Sequence, residues 1–186
     1  MGAPGQTSIL VQQWLNRLDE DTLAGEQARN ELIEHGKRRM EALCRKMFFP
    51  SLHSTAVVDL GDVYQESAIR LWQALQTVKP NTVKEFFGLA AKKIREVSVD
   101  LCRKYLKEPP QPVVGDESSF SPETLSQWTE FHEVVEKLDE PLREVVDLLW
   151  YQDLTQREAA EILELDESTV KRRWRRARQQ LARHLT

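Results

Sequence analysis

Apolar residues recur at spacings of three and four along most of this chain. There is no sustained period-two alternation and no Asn-Gly or Asp-Gly hairpin signal, so helices are the elements available to it. The expected fold class is all-α. One stretch interrupts the pattern: from Glu108 to Pro122, Pro109, Pro110, Pro112 and Pro122 remove backbone donors, while Gly115 and the neighbouring serines favour turns. The expected organisation is therefore two small helical domains, 1–108 and 125–186, joined by a flexible Pro-rich linker over 109–124. With 40% hydrophobic and 30% charged residues the chain has enough apolar content to fold, which excludes collagen-like and wholly disordered classes. No apolar run reaches the roughly 18 residues that span a bilayer, so no membrane insertion is expected. Met1 to Ser8 lacks a basic segment followed by an apolar core, and Cys44 and Cys102 form neither a disulfide framework nor a C-x-x-C pair. The expected location is cytoplasmic.

The net charge of −4 averages three unlike stretches. Residues 1–108 carry 16 basic and 14 acidic side chains, residues 109–167 carry 3 and 16, and residues 168–186 carry 7 and none. Such asymmetry points to a local anion-binding surface at the C-terminal end, and nucleic acid is the commonest large polyanion.

In the first domain, helices are predicted near 8–20, 25–48, 59–78 and 82–107. The third carries Leu60, Val63, Tyr64, Ala68, Leu71 and Leu75 on one stripe, with Asp62, Gln65, Glu66, Arg70 and Gln73 opposite and Asp59 placed to cap it. The fourth mixes apolar Phe86, Phe87, Leu89, Ala90, Ile94, Val97 and Leu101 with basic Lys84, Lys92, Lys93, Arg95, Arg103, Lys104 and Lys107.

Beyond the linker, Leu125–Lys137 and Leu142–Tyr151 read as helices, Pro141 suiting the first turn of the latter. Thr155-Gln156-Arg157-Glu158 is a capping box and begins a short helix. That helix breaks near Glu164-Leu165-Asp166, and a longer one restarts with Asp166 as N-cap and runs to about His184. In the last helix Val170, Trp174, Ala177 and Leu181 share a narrow sector. Lys171, Arg172, Arg175, Arg176 and Arg183 point mainly away from it, with Arg173 and Arg178 on the flanks. Two helices so joined make a helix-turn-helix, whose second member enters the major groove. Ser168, Thr169, Lys171 and Arg172 are then candidates for base edges and first-turn phosphates, Arg175, Arg176 and Arg178 for backbone phosphates, and Thr155 and Arg173 are further DNA-binding candidates. The turn lacks the usual glycine, so Glu164 or Leu165 must take a positive φ at a cost of roughly 1 kcal/mol.

His35, His53, His132 and His184 lie in different segments, and neither they nor the cysteines show zinc spacing. No phosphate-loop, dinucleotide-binding, nucleophile-elbow or zinc-protease signature occurs, so no cofactor, no metal and no catalysis are expected. The five tryptophans read as packing residues.

The segment from Asp59 to Trp72 resembles region 2.2 of bacterial sigma factors of the sigma-70 class, in the extracytoplasmic-function (ECF) subfamily. Phe86 to Arg95, continuing through Asp100-Leu101-Cys102-Arg103, is similar to regions 2.3 and 2.4. Leu154 to Leu163, followed by Ser168 to Arg173 and Arg175 to Arg178, resembles region 4.2. The two sets of motifs stand in the family's order and together cover about residues 8–107 and 125–186. The resemblance implies a dissociable initiation subunit. Its third helix would dock on the β′ clamp helices of core RNA polymerase through Asp62, Gln65, Glu66, Arg70 and Trp72, while the C-terminal domain would meet the β flap. Its last helix would read the −35 element. Its fourth helix would recognise and melt −10 DNA with Phe86, Phe87, Lys92, Lys93, Arg95, Arg103 and Lys104, since open DNA needs flat side chains for unstacked bases and cations for the strand. Leu89 and Glu96 stand where the commoner ECF pattern has tryptophan and asparagine. An anti-sigma factor is a further partner that the resemblance implies.

Two other readings stay open on the residues alone. One is a stand-alone helix-turn-helix regulator whose first domain senses a ligand or dimerises. The other is a helical adaptor that uses the acidic stretch 109–167 to bind a basic partner.

Overall fold

The computed structural model describes residues 6–18, 23–48, 60–108 and 122–184, with side chains described for all of these except 6–7, 37–48 and 60–64. Among the described residues the chain is helical and has no strand: α1 (Gln6–Leu15), α2 (Leu23–Phe48), α3 (Leu60–Thr77), α4 (Val83–Lys107), α5 (Pro122–Lys137), α6 (Glu140–Val146), α7 (Gln156–Leu163) and α8 (Glu167–His184). The expected linker, apart from its last three residues, and the Asp59 cap lie outside the described residues. Those last three residues belong to α5, which begins with Pro122 in its first turn, where a missing N–H costs nothing.

The local chemistry explains the boundaries. Thr82 caps α4 by accepting from the Glu85 amide at 3.2 Å, the Glu85 carboxylate accepts from the Asn81 amide at 2.7 Å, and Lys104 and Lys107 face the C-terminal dipole. At the end of α6 the backbone widens into a π-helical turn, Asp147–Tyr151, where the Gln152 amide donates to the Asp147 carbonyl at 3.1 Å. Periodicity alone predicts one uninterrupted helix here. Within that turn Asp147, Leu148 and Tyr151 are all buried.

α4 is the central element. Phe86, Phe87 and Ala90 pack in one core with Val11, Leu15, Leu32, Leu71 and Leu75 from the N-terminal half and with Val145, Leu148, Leu154 and Val170 from the C-terminal half. Ala91, Ile94, Val97 and Cys102 pack in a second core with Leu125, Val135, Leu142, Tyr151, Ala177 and Leu181. The two halves thus share both cores across α4. A helix with apolar residues on more than one side must be covered on more than one side, and α5 through α8 cover what α1 to α3 leave open.

Candidate nucleic-acid interface

The helix-turn-helix forms as the sequence predicts. Thr155 caps α7 by accepting from the Glu158 amide at 3.2 Å, and the Glu158 carboxylate accepts in return from the Thr155 amide at 2.8 Å, closing the capping box. Glu164 takes the left-handed conformation at φ 53°, ψ 43°, so the strained position is Glu164 and not Leu165. Asp166 opens α8: its carboxylate accepts from the Thr169 amide and hydroxyl, both at 2.8 Å, and from the Ser168 hydroxyl. These bonds, the Ser168 hydroxyl first among them, hold the carboxyl well below the usual carboxylate range.

Along α8, Val170, Ala177 and Leu181 are buried and Trp174 is half-buried, which is the predicted inner stripe. Ser168, Lys171, Arg172, Arg175, Arg176 and Arg178 are exposed. Lys171 pairs with Glu167 at 2.9 Å and Arg172 donates to the Thr169 hydroxyl at 3.2 Å, both local contacts that solvent screens. Arg173 is the exception: it turns inward, 3.8 Å from Glu144. The arrangement presents a row of cations on the outer face of the second helix.

The side chains expected at −10 DNA are divided. Phe86 and Phe87 are 2% and 1% exposed and packed against each other, so both belong to the core in this structure and neither offers a face to a base. Lys92 and Lys104 are exposed. Lys93 is half-buried and bonded to Glu96 at 2.8 Å. Arg103 bonds to Glu133 of α5 at 2.9 Å. Arg95 is only 5% exposed: its Nη1 donates to Asp147, its Nε to Glu136 at 3.0 Å, and the guanidinium lies 5.1 Å from the centre of the Tyr151 ring. A basic residue close to Lys92 and Lys93 on an amphipathic helix reads as solvated from sequence; the acidic partners that draw it inward come from 41 and 52 residues further along the chain.

Among the residues expected at the polymerase, Gln65 and Glu66 are exposed, Arg70 and Trp72 are half-buried, and the Asp62 side chain lies outside the described residues. Arg70 joins Glu66 at 2.9 Å and Asp100 of α4 at 2.7 Å. Its pKa is raised, by the Asp100 bond first. Gln65, Glu66, Ile69 and Arg70 of α3 form, with Val97, Asp100, Leu101 and Lys104 of α4, an open groove of about 450 Å³. Ile69, 43% exposed, gives it an apolar floor between charged rims.

Sequence reasoning missed the polar centre of the interface between the halves. His132, read only as a non-ligand, is buried at 1% exposure with Nδ1 2.6 Å from the Tyr151 hydroxyl, among Trp128, Phe131 and Trp150. Burial, with the Arg95 charge adding to it, lowers its pKa to about 3, so the ring is neutral at physiological pH. Burial pushes the Asp147 carboxyl up to about 6 against the pull of Arg95, which leaves it mostly ionised at neutral pH. Burial also raises the Cys102 thiol to about 11. Among the described residues no cluster of His, Cys, Asp and Glu is placed to hold a metal ion, and no helix is long and apolar enough to cross a membrane.

Residues 128–181 match the family model described as sigma-70, region 4. That stretch contains α7 and most of α8, so the helix-turn-helix lies in the part of the chain that is similar to this family. No curated protein matches the sequence. Among solved structures, the chain is similar to CnrH in the structure of CnrH in complex with the cytosolic domain of CnrY, at 21% identity over 94% of each chain and a TM-score of 0.39.

Proposed function

We infer that this protein is a sigma factor of the ECF kind, which binds core RNA polymerase and directs initiation at particular promoters. The observation that carries this reading is the exposed row of cations on α8 within a domain that matches sigma-70 region 4. In this role α8 lies in the major groove of −35 DNA with Ser168, Thr169, Lys171 and Arg172 toward the bases, while Arg175, Arg176 and Arg178 meet phosphates. The polar rim of the α3–α4 groove, Gln65, Glu66 and Arg70, suits docking on a polymerase helix, as expected for the β′ clamp helices. Of the cations expected at −10 DNA, Lys92 and Lys104 are exposed and can meet the strand in this conformation. The β flap and an anti-sigma factor remain partners expected from the resemblance.

The test is titration of the protein into sigma-free bacterial core polymerase, with Asp62→Arg and Glu66→Arg as controls, followed by size exclusion or anisotropy. One-to-one binding weakened by the charge reversals is the expected result. A folded sample that does not bind core polymerase at near-physiological salt would overturn the reading in favour of a stand-alone regulator.

A further inference from the structure

The cations of α8 are not equivalent. The buried stripe of Val170, Ala177 and Leu181 fixes how the helix is rotated, and at roughly 100° per residue Arg172 lies almost diametrically opposite the centre of that stripe. Lys171 and Arg178 stand about a quarter turn round from the stripe, on its flank, and Arg173 turns inward to Glu144. Arg172 is also held in place. Its Nη2 donates to the Thr169 hydroxyl at 3.2 Å, and that hydroxyl donates its one proton to the Asp166 carboxylate at 2.8 Å. The Thr169 oxygen can therefore only accept from Arg172, and Asp166 sets the direction in which it does so. Arg175, Arg176 and Arg178 are exposed and make no comparable bond among the described residues. We propose that Asp166, Thr169 and Arg172 form a relay that presents the Arg172 guanidinium to a guanine in the major groove. Arg172 is then the residue that sets base specificity, and Thr169 and Asp166 are its positioning residues.

The proposal rests on the sigma-factor reading, in which α8 lies in the groove of −35 DNA, and adds to it one base that this helix selects. A guanidinium carries five N–H groups in a fixed fork, and two of its edges present a parallel pair: Nε with Nη2, and Nη1 with Nη2. Thr169 takes one hydrogen of Nη2, so whichever edge it occupies, the other keeps a complete pair. Guanine offers O6 and N7 side by side on its major-groove edge, two acceptors that match such a pair, whereas adenine offers one acceptor and one donor. Phosphate also accepts the fork, but a side chain in the second turn of the helix that points to the floor of the groove meets base edges before backbone. Restraint adds selectivity, because a tethered arginine gives up less rotamer freedom on docking than an unrestrained one. Lys171, bonded to Glu167 at 2.9 Å, is a compact point charge and lacks the matching fork.

The test is selection from a library of randomised duplex DNA, run with the full chain bound to core polymerase and with the full chain alone, and read by sequencing. Wild type is expected to enrich guanine at one position of the selected site by about tenfold over the other bases. Arg172→Ala should relax that position alone, and Arg172→Lys, which keeps the charge without the fork, should relax it too. Thr169→Val keeps the shape and loses the hydroxyl, so the guanine preference should fall about threefold, and Thr169→Ser should restore it. Arg175→Ala is the contrast, with weaker binding to every sequence, a shallower salt dependence and the same base preference. None of these substitutions removes the Thr169 amide bond to Asp166 that caps α8, and circular dichroism checks that helix content is kept. A uniform loss of affinity in Arg172→Ala with no position relaxed overturns the assignment, and a guanine preference that Thr169→Val leaves intact overturns the relay. The two arms separate the levels. Enrichment by the free chain while core polymerase fails to bind overturns the sigma-factor reading, and the Arg172 variants then decide the assignment on that site. Polymerase binding with no sequence enriched in either arm overturns the proposal alone.

Discussion

His132 makes a quantitative prediction about acid. Its ring is buried and neutral in the folded protein, with a pKa of about 3 against 6.5 in the unfolded chain. The unfolded state therefore binds this proton first as pH falls, so the contribution of His132 to stability is complete above about pH 6.5 and is lost progressively toward pH 3. At about 1.4 kcal/mol per unit, the loss between pH 7.5 and pH 5 is about 2 kcal/mol. Asp147 acts in the opposite sense. Its folded pKa of about 6 exceeds the unfolded value of 3.8, so protonation stabilises the fold over the same interval. The two effects oppose each other in the wild type. The decisive quantity is a difference: urea unfolding of wild type and His132→Gln at pH 7.5 and pH 5. The variant costs stability at pH 7.5, where packing and the Tyr151 bond are lost, and this cost should shrink by about 2 kcal/mol at pH 5. Carboxylates common to both proteins drop out of the comparison. A cost that stays constant to within about 0.5 kcal/mol would refute the assignment of a buried neutral histidine.

Two further predictions concern single backbone positions. Glu164→Gly relieves the left-handed residue between α7 and α8 and should raise stability by up to about 1 kcal/mol, read as a higher denaturation midpoint with an unchanged slope. Gly88 lies inside α4 with open space where a Cβ would stand, so Gly88→Ala should stabilise by roughly 0.5–1 kcal/mol in the same assay; destabilisation would mean that α4 is more tightly enclosed there than the structure shows.

The helix-turn-helix was legible in the sequence because its determinants are local. A capping box, a break without glycine, an Asp N-cap and a four-residue apolar stripe each act within a few positions, and each occurs where the residues place it. Helix existence in the N-terminal half was legible for the same reason. The −10 face was not, and Arg95 shows why. Its place on α4 follows from periodicity, but its burial depends on Asp147, Glu136 and Tyr151, which reach it only after α5 and the π-helical turn dock. Phe86 and Phe87 were ambiguous between core and platform until the C-terminal half supplied Val145 and Leu148 to cover them.

Local chemistry was enough to read which segments are helical, the caps of α7 and α8 and the cationic face of α8, since these depend on interactions spanning one or two helical turns. Only the tertiary structure decided which α4 cations are free, because the sign and distance of a charge's nearest neighbour are set by packing between elements far apart in the chain. The same packing decided that a lone histidine is a neutral core residue, since burial shifts a pKa that composition leaves at its ordinary value.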